Sequence, residues 1–277
     1  MKLKKLLAAG LGLSMMFAVP AYANEADAVA VCQQMEEKNK EMNDTDAYYD
    51  YKIVMSDGTD SMDMRLEMNL KANHLQNPDQ LKMNVYSRMT MGQIGGTAEG
   101  PAGDGALDLS GMTMTYNVYY ENGVYYMDMM GQKIKYPVPL AEMMKQIGNT
   151  TNPAGAELEY LKDMKLRVEG DDRIVSFTMD MAQLNGLLGQ IMSMQGMQPA
   201  AGAEGVSISY RDVSGEYVVN PDGWCTKVRM KMTMDMTAAG ETMTMTMDGD
   251  VGFANPGQPV EVPTPNLAEY QTMEQME

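Results

Sequence analysis

The sequence predicts a mainly β protein of the α+β kind, built from antiparallel hairpins with a few helices. Two observations predict it. Met230, Met232, Met234 and Met236 alternate with Arg229, Lys231, Thr233 and Asp235, and after Ala238-Ala239-Gly240 the pattern resumes as Met243, Met245 and Met247 against Thr242, Thr244, Thr246 and Asp248. Strict period-2 alternation marks a half-buried strand, and two such runs around a short Gly-containing link mark an antiparallel hairpin. The same device recurs along the chain, separated by Asn122-Gly123, Gly170-Asp171-Asp172 and Asn220-Pro221-Asp222-Gly223, each of which is turn chemistry.

The chain opens as an export signal. Lys2, Lys4 and Lys5 precede an apolar run from Leu6 to Val19 and a small-x-small site at Ala21-Tyr22-Ala23. Residues 1–23 are therefore expected to be a signal peptide, with 24–277 a single domain working outside the cytoplasm. That means the periplasm if the cell has an outer membrane, and otherwise the medium or the cell surface. The apolar run is short and meets Asn24-Glu25 at once, which argues against a retained span. Cys32 lies well past the cleavage site behind Val29-Ala30-Val31, so lipid attachment is not expected.

The formal net charge is −17, and losing three signal lysines makes the mature chain more acidic still. Broad charge attraction to nucleic acid or anionic lipid headgroups is thereby excluded. Basic, zwitterionic or neutral partners fit. Methionine supplies 34 of the 277 residues. It takes places usually given to Leu, Ile, Val and Phe, and makes a soft, adaptable apolar surface.

Ala28, Cys32, Met35 and Met42 fall at helical spacing within Asn24 to Met42. Tyr48 to Met55 reads as the first strand. Met62, Met64, Leu66, Met68 and Leu70 form the next, and Leu81, Met83, Val85, Met89 and Met91 the third, with Asn77-Pro78-Asp79 turning between them. Gly92 to Gly111 reads as a Gly- and Ala-rich loop. Met112 to Tyr120, Val124 to Met130 and Lys133 to Tyr136 follow as strands, stopped by Pro137 and Pro139. A short helix is expected around Leu140 to Ile147, a loop at Asn149 to Ala156, and strands at Met164 to Val168 and Val175 to Met181. Gln183 to Gln195 has helical spacing, and Gly196 to Gly205 is a further loop. Val206 to Tyr210 and Tyr217 to Val219 read as two strands, and a Pro-rich tail runs from Pro256 to Pro265.

Catalytic chemistry finds no foothold. His74 is the only histidine, so a zinc site of two or three imidazoles is excluded and any triad would have to use it. No nucleophile elbow, phosphate loop or dinucleotide fingerprint is present. Asp57, Asp60 and Asp63 resemble a calcium loop but lack its downstream ligands. The chain is expected not to be an enzyme and to carry no cofactor. Thioethers are soft ligands for Cu(I) or Ag(I), so the Met-x-Met strands raise a metal-binding alternative, but they are also what a buried strand face requires. No metal site is assigned from spacing alone. Trp224 is expected to pack at a sheet rim. Tyr119, Tyr120, Tyr125 and Tyr126 are expected to form cross-strand pairs, the alternative being a cavity mouth.

Taken in order, these features resemble the LolA/LppX-like group of secreted lipid and lipoprotein carriers, in a Met-rich secreted branch. The resemblance rests on the leading helix and Tyr48-Tyr49, the Glu121 to Tyr126 hairpin, the Gln183 to Gln195 helix, Gly215-Glu216-Tyr217-Val218-Val219 before Asp222-Gly223, the Met hairpin, and the ending Phe253-Ala254-Asn255-Pro256-Gly257-Gln258-Pro259-Val260-Glu261-Val262-Pro263. It implies an incomplete antiparallel β-barrel, a half-barrel covered by helices around an apolar cavity for acyl chains. The chain departs from that group by lacking a lipobox and by using Met where the carriers use larger aromatics and aliphatics.

The expected function is non-catalytic binding of a lipid or acylated molecule for transport or sensing, with envelope proteins as further partners. The alternatives are a structural or protein-interaction module whose Met face is filled by its own helices, and Cu(I) or Ag(I) binding. Period 2 puts Met64, Met83, Met114, Met232, Met234 and Met245 on inner parities, and the resembling fold makes that face the cavity lining. Two cysteines in an exported chain, Cys32 and Cys225, are either a disulfide or two separately buried thiols.

Overall fold

The computed structural model describes residues 25–77, 79–96, 111–138, 158, 160–186, 207–238 and 240–272. The expected signal peptide, the Leu140 to Ile147 helix, most of the Gln183 to Gln195 helix and most of the Gly-rich loops lie outside them. Residues 181–186, at the start of that second helix, are helical.

Helix α1 spans Glu25–Asn39 and is followed by β1 (Thr45–Ser56), β2 (Asp60–Asn73), β3 (Lys82–Gly96), β4 (Thr113–Glu121), β5 (Val124–Met129) and β6 (Gln132–Pro137). The second half holds β7 (Leu161–Glu169), β8 (Asp172–Met179), β9 (Ser207–Val219), β10 (Cys225–Ala238), β11 (Glu241–Phe253) and a 3-10 turn at Leu267–Glu269. All eleven strands form one sheet in the order β6-β5-β4-β3-β2-β1-β11-β10-β9-β8-β7. It consists of two antiparallel meanders joined where β1 pairs with β11, so the first and last strands lie side by side at its centre. The sheet is open. β6 and β7 stand at opposite edges and do not pair among the described residues, so the sheet does not close on itself.

Register divides every strand between two faces. The outer face carries Thr and charge, tied by cross-strand ion pairs. Arg65 makes a two-pronged contact with Asp50, both bonds 2.8 Å, and Arg167 and Arg229 share Glu216. Hydrogen bonds from these arginines hold the Asp50 and Glu216 carboxyls below their usual range. The C-terminal tail crosses this face. Asn73 and Asn84 donate to the Val260 and Pro263 carbonyls, Tyr119 meets Thr264, and Gln271 makes a parallel bridge to Ile134 on β6. Val262, Tyr119 and Tyr270 are buried under or within this strap.

Four places depart from strict alternation, and each is a bulge. On β10 the partner of Cys225 is Val219 but that of Lys227 is Val218, so Thr226 is extra. On β9 the partner of Thr233 is Asp212 but that of Met234 is Tyr210, so Arg211 is extra and side-chain parity switches there. The expected strands Val206 to Tyr210 and Tyr217 to Val219 are therefore one continuous strand. On β3, Met64 faces Met91 while Met62 faces Ile94, which carries the strand past Gly92 to Gly96. On β7 the shift lies between Lys162 and Lys165, around Asp163 at φ 53°. Helix α1 also stops earlier than Met42. Its exit tightens into three-residue hydrogen bonds, Glu41 N–H to Lys38 O and Met42 N–H to Asn39 O.

Candidate functional site

The inner face has two halves made of different residues. One is a sealed core. Ala28, Val31, Cys32, Met35 and Asn39 form the buried stripe of α1, at the spacing a helix lines up on one side. The helix lies on β7 and β8, and its apolar residues join Ala47, Tyr49, Leu70, Val175, Phe177, Tyr217, Val219, Cys225, Val251 and Phe253 in one buried cluster. Cys32 and Cys225 are both in it and stand as two free thiols. Burial, aided by Cys225 and Glu36, pushes the Cys32 thiol up to about 12. Burial pushes Cys225 to about 12 as well, against two backbone hydrogen bonds that pull it down. Neither is a ready nucleophile.

A line of rings bounds this core. Tyr51 faces Gly249 across the β1–β11 pair, and Phe177 faces Gly215 across β8–β9. A Cβ on Gly249 would sit 2.3 Å from the Tyr51 ring, and one on Gly215 would sit 2.6 Å from the Phe177 ring. Each ring thus lies over a glycine that leaves it room. Met230 sits between the two glycines in register, and Phe177 stacks on Tyr217 with centroids 4.6 Å apart.

Beyond that line the inner face is thioether. One row runs Met64, Ile53, Met247 and Met232 across β2, β1, β11 and β10. The next runs Met62, Met55, Met245 and Met234, and Met243 faces Met236 one row further. All of these side chains are half-buried, none fully. Of the six methionines singled out by sequence, Met64, Met232, Met234 and Met245 come together here. Met114 faces Met89 on the β3–β4 side of the same face. Met83 does not join them: it lies at the other end of β3, between Ala72 and Tyr120, packed against the sealed core. Sequence reasoning left Met55, Met62, Met236, Met243 and Met247 out of the site. The turn at Ala238 to Gly240 already implied that Met236 faces Met243. The place of Met55 depends on the β1–β11 pairing, which no local signal announces.

The expected aromatic pairs are present. Tyr120 meets Tyr125 and Tyr119 meets Tyr126 across the β4–β5 hairpin, at 5.1 and 6.0 Å between centroids. Trp224 packs on Gly257, with the Lys38 ammonium 5.1 Å from its ring centre. His74 is exposed in a turn at φ 56°. A cavity of about 260 Å³ of mixed polar and apolar lining opens beside the strap, with Asp46, Lys71, Gln258, Pro259, Val260 and Glu261 among its walls, and the Lys71–Asp46 ion pair spans 2.8 Å within it.

A family model described as a family of unknown function, DUF6612, matches residues 27–268. The chain belongs to the DUF6612 family. A search of curated proteins finds no match. Among solved structures, the chain is distantly similar to a DUF1329 family protein from Desulfovibrio piger. Identity is 10%, the match covers 87% of this chain and 95% of that one, and the TM-score is 0.25. At that score the likeness carries no weight for function.

In this DUF6612 chain no group of three or more His, Cys, Asp or Glu is placed to hold a metal ion among the described residues. Among those residues no helix is long and apolar enough to cross a membrane.

Proposed function

We propose that the chain binds a hydrophobic ligand, a lipid or other acylated molecule, without catalysis, outside the cytoplasm, for transport or sensing. The observation that carries this reading is the contiguous field of half-buried methionines, which crosses four central strands and lies outside the sealed core. An acyl chain laid on such a surface leaves water at about 0.8 kcal/mol per methylene. Unbranched thioethers shift rotamers to fit chains of different shape. The open sheet with a leading helix on one half of its inner face is compatible with a LolA/LppX-like half-barrel, and the sequence resemblance supports the same reading. The structural-module alternative needs the Met field filled by the protein's own helices. Among the described residues helix α1 serves the other half of the face, and the helical stretch 181–186 reaches only the sheet margin, where Asn185 bonds the Tyr210 backbone.

Solvent extraction and mass spectrometry of gently purified protein, with displacement of a fluorescent fatty acid, test the proposal. Met234→Asp is expected to weaken binding at least tenfold, because it sets an unpaired carboxylate in an apolar groove. Thr233→Asp, one residue away on the opposite face, should leave binding within twofold. Met234→Leu should preserve it, since side-chain volume is nearly kept. No extractable lipid and no saturable fatty-acid binding would end the carrier reading.

A further inference from the structure

We infer that the row Met62, Met55, Met245 and Met234 is a binding site for a soft monovalent cation, Cu(I) or Ag(I), independent of any acyl ligand. Register, not spacing, makes the case. Met55 lies directly opposite both Met62 and Met245, and Met245 lies directly opposite Met234, so four thioethers stand side by side on four adjacent strands.

Directly opposed residues hold their Cβ atoms about 4.5–5.5 Å apart. Each sulfur is two bonds beyond its Cβ on freely rotating links. Two facing methionines therefore converge on one ion at metal–sulfur distances of about 2.3 Å, as in other sulfur sites. Met55 and Met245 supply the central pair, and a flanking Met62 or Met234 supplies a third donor.

The surroundings choose the ion. The inner-face neighbours one row away are Met64, Ile53, Met247 and Met232 on one side, with Met243 and Met236 on the other. The row ends on β9 at Tyr210, opposite Met234. No carboxylate, imidazole or thiolate shares the face at these positions, so Mg²⁺ and Ca²⁺ find no oxygen ligands and Zn²⁺ finds none of its usual donors, whereas neutral thioethers suit Cu(I). The strongly acidic chain, at −17, raises the local concentration of any cation. Strand propensity points the same way. A half-buried strand face is met best by β-branched and aromatic residues, and the sealed half of this sheet uses Val, Phe and Tyr together with Leu and Ala. The distal half replaces them with sulfur at almost every inner position.

The test is anaerobic titration of the mature protein with Cu(I) against a chromophoric Cu(I) chelator, followed by X-ray absorption at the copper edge. The expected result is one Cu(I) per chain in a shell of sulfur only. Met55→Leu with Met245→Leu should lower affinity at least tenfold while the circular dichroism spectrum and melting curve stay as in the parent. Met127→Leu, on β5 between Val118 and Ile134 and without a facing methionine, should leave affinity unchanged. Absence of uptake, a nitrogen or oxygen shell, or equal affinity in the Met55/Met245 variant would overturn the site. Fatty-acid displacement, run without metal, stands or falls separately, because leucine keeps the face apolar.

Discussion

The two halves of the inner face share strands but not residues. β11 runs Phe253 and Val251 under the helix-covered core, passes Gly249, and becomes Met247, Met245 and Met243. β1 runs Ala47, Tyr49 and Tyr51 before Ile53 and Met55, and β10 begins with Cys225 and Val228 before its four alternating methionines. The change falls at the same level on each strand, where the Tyr51 ring lies over Gly249. One half is composed of shapes with few rotamers and is closed by a helix. The other is composed of flexible chains left half-buried. The difference teaches that period 2 decides only which face is apolar. The choice among apolar residues decides whether that face is packed for good or stays adaptable.

Putting a charge into each half breaks the comparison most directly. Met35→Asp, fully buried on α1, is expected to cost more than about 4 kcal/mol and abolish cooperative folding at 37 °C, since its carboxylate has no route to water. Met232→Asp, half-buried in the Met field, should cost no more than about 2 kcal/mol, because its carboxylate reaches solvent. Urea unfolding of both measures the gap, and equal losses would mean the Met field is sealed as tightly as the core.

The boundary is tested next. Gly249→Ala drives a Cβ to 2.3 Å from the Tyr51 ring and displaces it, at an expected cost of about 1–3 kcal/mol. Gly252→Ala on the same strand meets nothing within 4 Å and should be neutral. Thermal melts that fail to separate the two would show that the ring line is not held by close contact.

Alkaline pH gives the smallest and most selective effect. The folded chain keeps the protons of Cys32 and Cys225 up to about 12, while the unfolded chain releases them from about pH 9. The two thiols therefore add their full stability below pH 9 and lose it as pH rises toward 12. Tyr49, raised by its own burial, adds in the same direction. The Tm should fall more steeply above pH 9 than below it, and Cys225→Ala should flatten the slope. A thiol titration of unreduced, denatured protein is expected to give two reactive groups. None would mean that the two cysteines have been bridged.

Much of this was legible in the sequence. Alternation and turn residues placed the helix stripe, the hairpins and the Met face, because each depends on neighbours within about ten residues. Arg211 shows where legibility stops: an extra residue reverses parity within β9, and the pattern alone reads that as two strands. The thioether rows failed for a second reason. Met55 and Met245 become neighbours only through β1 pairing with β11, a contact between the ends of the chain that leaves no local trace. The strap was visible as a Pro-rich tail, but its route from Val260 to Gln271 over Asn73, Asn84 and Tyr119 depends on single hydrogen bonds.

The pairing of β1 with β11 has a further consequence, for synthesis. The emerging chain makes its first meander early and its second late, and until Phe253 is out each has a bare edge, β1 on one and β10 on the other. Those edges are long, and on the inner side they are rich in thioether and aliphatic carbon, which makes them templates for pairing with any other chain. The last strand fills both at once. A ribosome stalled or a protease acting before Glu241 would therefore leave two sticky half-sheets rather than a shortened whole, and a chaperone serving this protein would have to shield that gap until the final strand arrives.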